Sequence, residues 1–128
     1  MAVKVTFRAD HAGINRMIHS GFMYEELERR ADRVIRLARM TAPVDSGDYV
    51  RKIGRERFAT ARTAGVRVVA RADHSLILER GTRPHIIEPR DKQALHWPGA
   101  AHPVRRVHHP GTPALHILRN ALRAAGNG

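Results

Sequence analysis

Residues 81–118, GTRPHIIEPRDKQALHWPGAAHPVRRVHHPGTPALHIL, hold six of the nine histidines of this sequence: His85, His96, His102, His108, His109 and His116. Histidine, proline and arginine at this density mark metal sites, nucleases and clamps on nucleic acid. Metal ligands come in tight pairs such as HExxH, or in spacings repeated across two loops. Here His85-Ile86-Ile87-Glu88 is not HExxH, and His96, His102, His108 and His109 have no carboxylate cluster near them in sequence. His108 and His109 are adjacent, so an extended chain aims their rings to opposite sides. Neither a metal nor any other cofactor is expected. A ribonuclease would pair two histidines, or a histidine with Glu79 or Glu88, for general acid–base work. Spacing alone argues no such geometry. The motifs GxGxxG, GxxxxGK[ST] and GxSxG are absent from the sequence. The reading is therefore no enzyme and no catalytic residues. The competing reading is a small basic nucleic-acid-binding protein or a toxin-like ribonuclease.

Charge points the same way, toward contact rather than catalysis. The formal net charge is +11, from 23 Lys and Arg against 12 Asp and Glu. Only Lys4, Lys52 and Lys92 are lysines, so arginine carries the excess. A GC-rich genome would explain arginine over lysine, but not the net charge. An excess this large attracts a polyanion or an acidic protein surface. Trp97 is the one candidate for stacking on a base, and Arg105 to His109, RRVHH, is the sharpest basic cluster. Nothing in the sequence supports readout of bases.

The elements that must position these residues are legible in part. The 128 residues suit one domain. Three Phe, two Tyr and one Trp leave Leu, Ile, Val and Ala to build a thin core, a hint that burial is completed against neighbouring subunits. Without cysteine there is no disulfide or thiolate chemistry. No apolar run approaches a membrane span, and the first residues lack a signal-peptide core, so a soluble product made in the cytoplasm is expected. Residues 3–7 alternate as a short strand. Residues 22–43 carry an amphipathic helix whose stripe is Leu27, Ala31, Val34, Ile35 and Ala38, bordered by Leu37. Its opposite face holds Arg29, Arg30, Asp32, Arg33 and Arg36, and Pro43 ends it. Asp45, Ser46 and Gly47 form a turn. A strand or short helix follows at 49–53, then residues 55–60, then the clearest strand at 65–72, with Arg67 and Arg71 on one face. Residues 74–80 form two helical turns or an extended piece, stopped by Gly81. A hairpin follows, with 85–87 as one arm, 89–92 as the turn and 94–97 as the return. Five of the seven prolines lie between Arg83 and Gly111 and stiffen it. Thr112 and Pro113 would cap and start a last helix with a stripe of Leu115, Leu118 and Leu122, Ile117 and Ala121 beside it. Gly126 would stop that helix and residues 125–128 would fray. The expected fold is α+β: a long N-terminal amphipathic helix on a small, mostly antiparallel sheet, a Pro-rich hairpin arm over 83–110, and a C-terminal helix.

Three landmarks in this order carry a resemblance: TAPVDSGDYVRKI, LERGTRPHIIEPRDKQALHW and VHHPGTPALHILRNAL. Together they resemble the neck, or tail-completion, family of long-tailed bacteriophages, a family of head–tail joining and minor tail proteins. The likeness runs over residues 25–124. Ser46 stands where the family has Thr, Arg80 where an aromatic is usual, and Leu115 to Leu118 where it has Pro-Phe. The resemblance implies a structural virion protein at the head–tail junction. It implies a homo-oligomeric ring, a hexamer, between the head-closure (stopper) ring and the tail terminator or tail tube, with DNA passing through the lumen. On this view Arg83, His85, Ile86, Ile87, Arg90, Leu95, Trp97, Arg105, Arg106 and His109 form subunit or ring interfaces. Gly47, Gly81, Pro110 and Gly111 make the structural turns, where glycine admits positive φ. Arg67 and Arg71 are the candidate contacts to DNA or an acidic partner.

Overall fold

The computed structural model describes residues 2–91, 93–99 and 101–127. It is a small α+β protein with five helices and two small antiparallel sheets among the described residues, and none of those helices is long and apolar enough to cross a membrane. The chain divides into two compact units, Met1–Ala72 with Leu118–Gly128, and Asp73–Ile117.

In the first unit, α1 (His11–Ile18) begins where Asp10 accepts a hydrogen bond from Gly13 N at 2.9 Å. α2 (Gly21–Thr41) begins at Ser20, whose Oγ accepts from Met23 N at 3.3 Å. Both are N-caps that satisfy a donor the helix cannot. The chain leaves α2 at Ala42, directly before Pro43. Its apolar stripe buries Ala31, Val34, Ile35 and Ala38, the spacing of one helical face. α3 (Asp48–Arg51) follows Gly47, whose φ of 78° is left-handed. β1 (Ile53–Ala59) and β2 (Ala64–Ala70) pair antiparallel, with Ile53 opposite Ala70 and Arg57 opposite Val66. α2 lies against both strands. Across that contact Arg55 reaches Glu28 and Asp32, each at 2.9 Å, and Arg57 reaches Glu28 at 2.5 Å. The buried apolar residues of this unit are small side chains (Ala31, Ala38, Ala42, Ala72 and Ala121) together with Val34, Ile35, Tyr49 and Ile53.

In the second unit, α4 (Ser75–Arg80) leads into a hairpin whose paired strands are β3 (His85–Ile87) and β4 (Val107–His109). α5 (Ile117–Gly126) follows, and from Leu118 onward it belongs to the first unit.

Several expectations are corrected. Residues 3–7 form no strand: they have no regular structure, and Val3, Val5 and Phe7 stand 83%, 85% and 92% exposed. Among the described residues the segment is paired with no ladder. The helix α1 was not expected: it is only eight residues long, and of its large apolar residues Ile14 and Met17 are exposed and Ile18 is half-buried. The return strand of the hairpin is 107–109, not 94–97; Leu95 instead forms an isolated bridge with Val104. Nor do residues 89–92 turn the hairpin: the Leu95–Val104 bridge puts the reversal beyond residue 95, Arg90 and Asp91 are bends on the outgoing limb, and Lys92 lies outside the described residues. The last helix starts at Ile117 rather than after Pro113, because Thr112 is committed to Thr82, and the Leu115 and His116 amides to carbonyls of α4. Its buried residues are Ile117 and Ala121, whereas Leu115 and Leu122 are exposed. Gly126 is inside α5, so 125–126 are helical and not frayed; Gly128 lies outside the described residues.

Candidate interaction arm

The arm spans residues 82–112 and is clasped at its base. Thr82 N donates to Thr112 O at 2.9 Å, Thr112 N returns the bond to Thr82 O at 3.2 Å, and Thr82 Oγ1 accepts from Thr112 N at 3.0 Å. On either side of this clasp stand Gly81 and Gly111, with φ of 70° and 88°. A Cβ on Gly81 would lie 2.3 Å from Thr112 O, and one on Gly111 would lie 2.4 Å from Thr82 O. Only glycine permits both the left-handed backbone and the close approach. α4 is tied to the same base. Its C-terminal carbonyls at Leu78 and Glu79 accept from Leu115 N (2.9 Å) and His116 N (3.2 Å), satisfying groups a helix end leaves unpaired.

Beyond the clasp the register continues through His85 opposite His109, Ile86 opposite His108 and Ile87 opposite Val107. It places Pro84 opposite Pro110, where neither residue can donate to the ladder. Proline therefore shapes the arm by withholding hydrogen bonds as well as by stiffening it. His85 and His109 pack with ring centroids 4.9 Å apart. Their tautomers follow from their partners. Arg83 O can only accept, so His85 Nδ1 donates to it (2.8 Å). Gly111 N–H can only donate, so His109 Nδ1 accepts from it (3.0 Å). In the neutral pair, Nε2 of His85 carries a lone pair and Nε2 of His109 carries a proton. Farther out, Glu88 Oε1 accepts from Arg106 Nε (2.9 Å) and Nη2 (2.7 Å). The inner bridge joins Leu95 and Val104 in both directions, at 2.6 and 3.0 Å.

The residues expected at an interface separate into groups. Ile86 and Trp97 are exposed apolar side chains, at 47% and 45%. Ile87, Leu95 and His109 are half-buried within the arm. Arg83, Arg90 and Arg105 are exposed, and none has an ion-pair partner among the described residues. Arg106 is held by Glu88. The depressions beside the arm, lined by His85, Ile86, Ile87, Glu88 and Arg90 on one side and by the two prolines on the other, are open to solvent. Among the described residues no group of three or more His, Asp or Glu is arranged to hold a metal ion.

The other expected positions lie in the first unit. Gly47 sets the turn before α3, where Asp48 N donates to Ser46 Oγ (3.3 Å). Arg67 and Arg71 share a sheet face, as alternation requires, but both lean on Glu56, at 3.7 and 3.1 Å. Arg67 also covers the Phe58 ring, 4.5 Å from its centroid. What the sequence concealed is the ion-pair group of Glu28, Asp32, Arg55 and Arg57. Its partners are 23 or more residues apart, and only the pairing of β1 beside α2 brings them together. Glu28 is held down from 4.5 to about 2, first by the hydrogen bond from Arg57, against its desolvation, and then by Arg55.

Compared with protein-family models, with curated proteins and with solved structures, the chain finds no match.

Proposed function

We propose that this chain is a structural protein of a phage neck, assembling as a ring between the head-closure and tail-terminator rings and gripping its neighbours through the arm at 82–112. The observation that carries the reading is the glycine-locked clasp, which holds out a preshaped hairpin bearing exposed Ile86 and Trp97 and exposed arginines. A part built to reach across a subunit boundary needs a rigid root and an apolar anchor in a polar rim. The three landmarks of the family resemblance support it further, since their glycines are the ones at the turn and at the clasp. The hexamer, the long helix on a small sheet as a ring-building core, and the virion setting belong to this proposal. In the virus that encodes the chain, deleting residues 89–92 or replacing Trp97→Ala is expected to leave the protein folded. Filled heads and free tails then accumulate unjoined, as counted in electron micrographs. A normal yield of joined virions from both variants overturns the proposal.

One observation favours a second reading, a ribonuclease. The His85–His109 pair presents a lone pair and a proton side by side, the complement that general acid–base cleavage uses. Purified protein that cleaves RNA, and loses cleavage in both His85→Ala and His109→Ala, would support this reading. Intact RNA after incubation with the parent protein dismisses it.

A further inference from the structure

Unmet burial gathers at the start of the chain. Six of the 14 large exposed apolar residues (Val3, Val5, Phe7, Ile14, Met17 and Phe22) fall within its first 22 positions. Residues 3–7 are a strand in sequence without being one in structure: Val, Thr and Phe favour a pleated ladder, yet the segment pairs with nothing among the described residues.

The same unit offers a ladder with a free side. In a two-stranded sheet each strand has one unpaired edge. Thr60 N donates to Thr63 O (2.7 Å) and Arg71 N to Lys52 O (3.0 Å), which fixes the alternation of the whole pair. On β2 the inward groups belong to residues 63, 65, 67, 69 and 71, and the outward ones to Ala64, Val66, Val68 and Ala70. On β1 the outward Ile53 carbonyl is capped by Arg39 (3.1 Å). No segment among the described residues pairs with the β2 edge. Its four outward residues also point to the α2 side, yet all remain half-buried, as expected of an apolar row lacking its neighbour.

We infer that residues 3–7 of one copy add to the β2 edge of the next copy as a third, antiparallel strand. The inference rests on the self-association in the proposed function, not on the virion setting. Placing Val5 opposite Val68, with Val3 opposite Ala70 and Phe7 opposite Val66, aligns the two apolar rows on the α2 side. On the outer face it puts Lys4 beside Val69, Thr6 beside Arg67 and Arg8 beside Gly65. A shift by two residues either way would put Lys4 opposite Arg67 or Arg71, and directly opposed like charges destabilise a sheet. Gly65, opposite Arg8, is covered by the Phe58 ring, 2.8 Å from where a Cβ would stand, so no like charge faces Arg8 directly there. Each copy is donor at one place and acceptor at another, and such head-to-tail contacts close into rings.

The test measures the mass of the full chain by light scattering over a range of concentrations, against the 14.4 kDa monomer. Two variants carry it. Val66→Pro removes an amide that faces the free edge, a position where a strand tolerates proline. Val5→Pro removes a donor amide in a segment that makes no backbone hydrogen bond among the described residues, so the domain is expected to stay folded. Both are expected to dissociate the assembly, weakening it at least about tenfold, with unchanged circular dichroism. Because the chain has no cysteine, mixing Val5→Cys with Val68→Cys chains under oxidation should give a covalent dimer that neither variant gives alone. An assembly indifferent to both prolines, with no mixed dimer, overturns strand exchange and leaves self-association standing. A parent chain that is monomeric at every concentration overturns both.

Discussion

His19 donates from both ring nitrogens, Nδ1 to Asn15 O and Nε2 to Thr60 O, each at 2.8 Å, tying the end of α1 to the turn between β1 and β2. Only the imidazolium can donate twice. Its pKa is accordingly raised above 6.5, first by the bond to Asn15 and then by that to Thr60, against desolvation. A raised value means that its contribution to stability is complete below pH 6.5 and is lost as pH climbs through the folded pKa. Glu28 has the opposite sign. Lowered from 4.5 to about 2, it contributes fully above pH 4.5, and that contribution disappears as pH falls toward 2. Melting temperatures followed against pH should therefore show two independent limbs. His19→Ala is expected to remove the decline above pH 6.5 and leave the acid limb, and Glu28→Gln the reverse. Parent-like profiles in both variants would show that neither bond set matters in solution.

At the scale of elements, the arm depends on two glycines more than on its short ladder. Gly81→Ala and Gly111→Ala each force an L-residue into the left-handed region, about 1–2 kcal/mol. Each also drives a methyl to within 2.3–2.4 Å of a backbone oxygen, so the clasp must open. A loss of at least about 2 kcal/mol is expected for each variant, read as a lower urea midpoint. The control Gly99→Ala shares the positive φ of 90° but meets nothing within 4 Å, so it should lose only the backbone part. Equal losses at all three positions would mean that the clasp contributes nothing beyond φ. The glycines themselves were legible in the sequence, because each ends an element in a run of turn residues, and so was the stripe of α2, which repeats over about three turns. The partner of β3 was not: 94–97 and 107–109 are equally suited to return strands, and the choice rests on the Thr82–Thr112 clasp 30 residues apart. The start of α5 was hidden for a related reason. Thr112-Pro113 is a sound local helix start, overridden by long-range hydrogen bonds that use the same backbone.

For the whole molecule, the decisive quantity is where the charge sits. The unit of Met1–Ala72 with Leu118–Gly128 holds 17 Lys and Arg against eight Asp and Glu, a surplus of nine; Asp73–Ile117 holds six against four, a surplus of two. The RRVHH cluster, the densest basic run of the sequence, thus belongs to the nearly balanced unit, and Arg106 there is already engaged by Glu88. Among the described residues of the basic unit, Arg33 and Arg36 lie exposed on the outer face of α2 with no ion-pair partner, in line with Arg29 one turn earlier. If DNA passes this protein, or if the chain binds nucleic acid outright, that ridge is where phosphates are met. Each phosphate contact contributes roughly −0.9 to the slope of log K against log salt on duplex DNA. Replacing Arg33→Ala and Arg36→Ala together should make the slope shallower by about 2, without sequence preference. The double replacement of Arg105→Ala and Arg106→Ala should leave the slope unchanged. Fluorescence anisotropy with a labelled duplex at several salt concentrations separates the two cases. A slope that responds to the arm variant and ignores the α2 variant would move the polyanion contact onto the hairpin, and would favour the nucleic-acid reading of the arm over the subunit-gripping one.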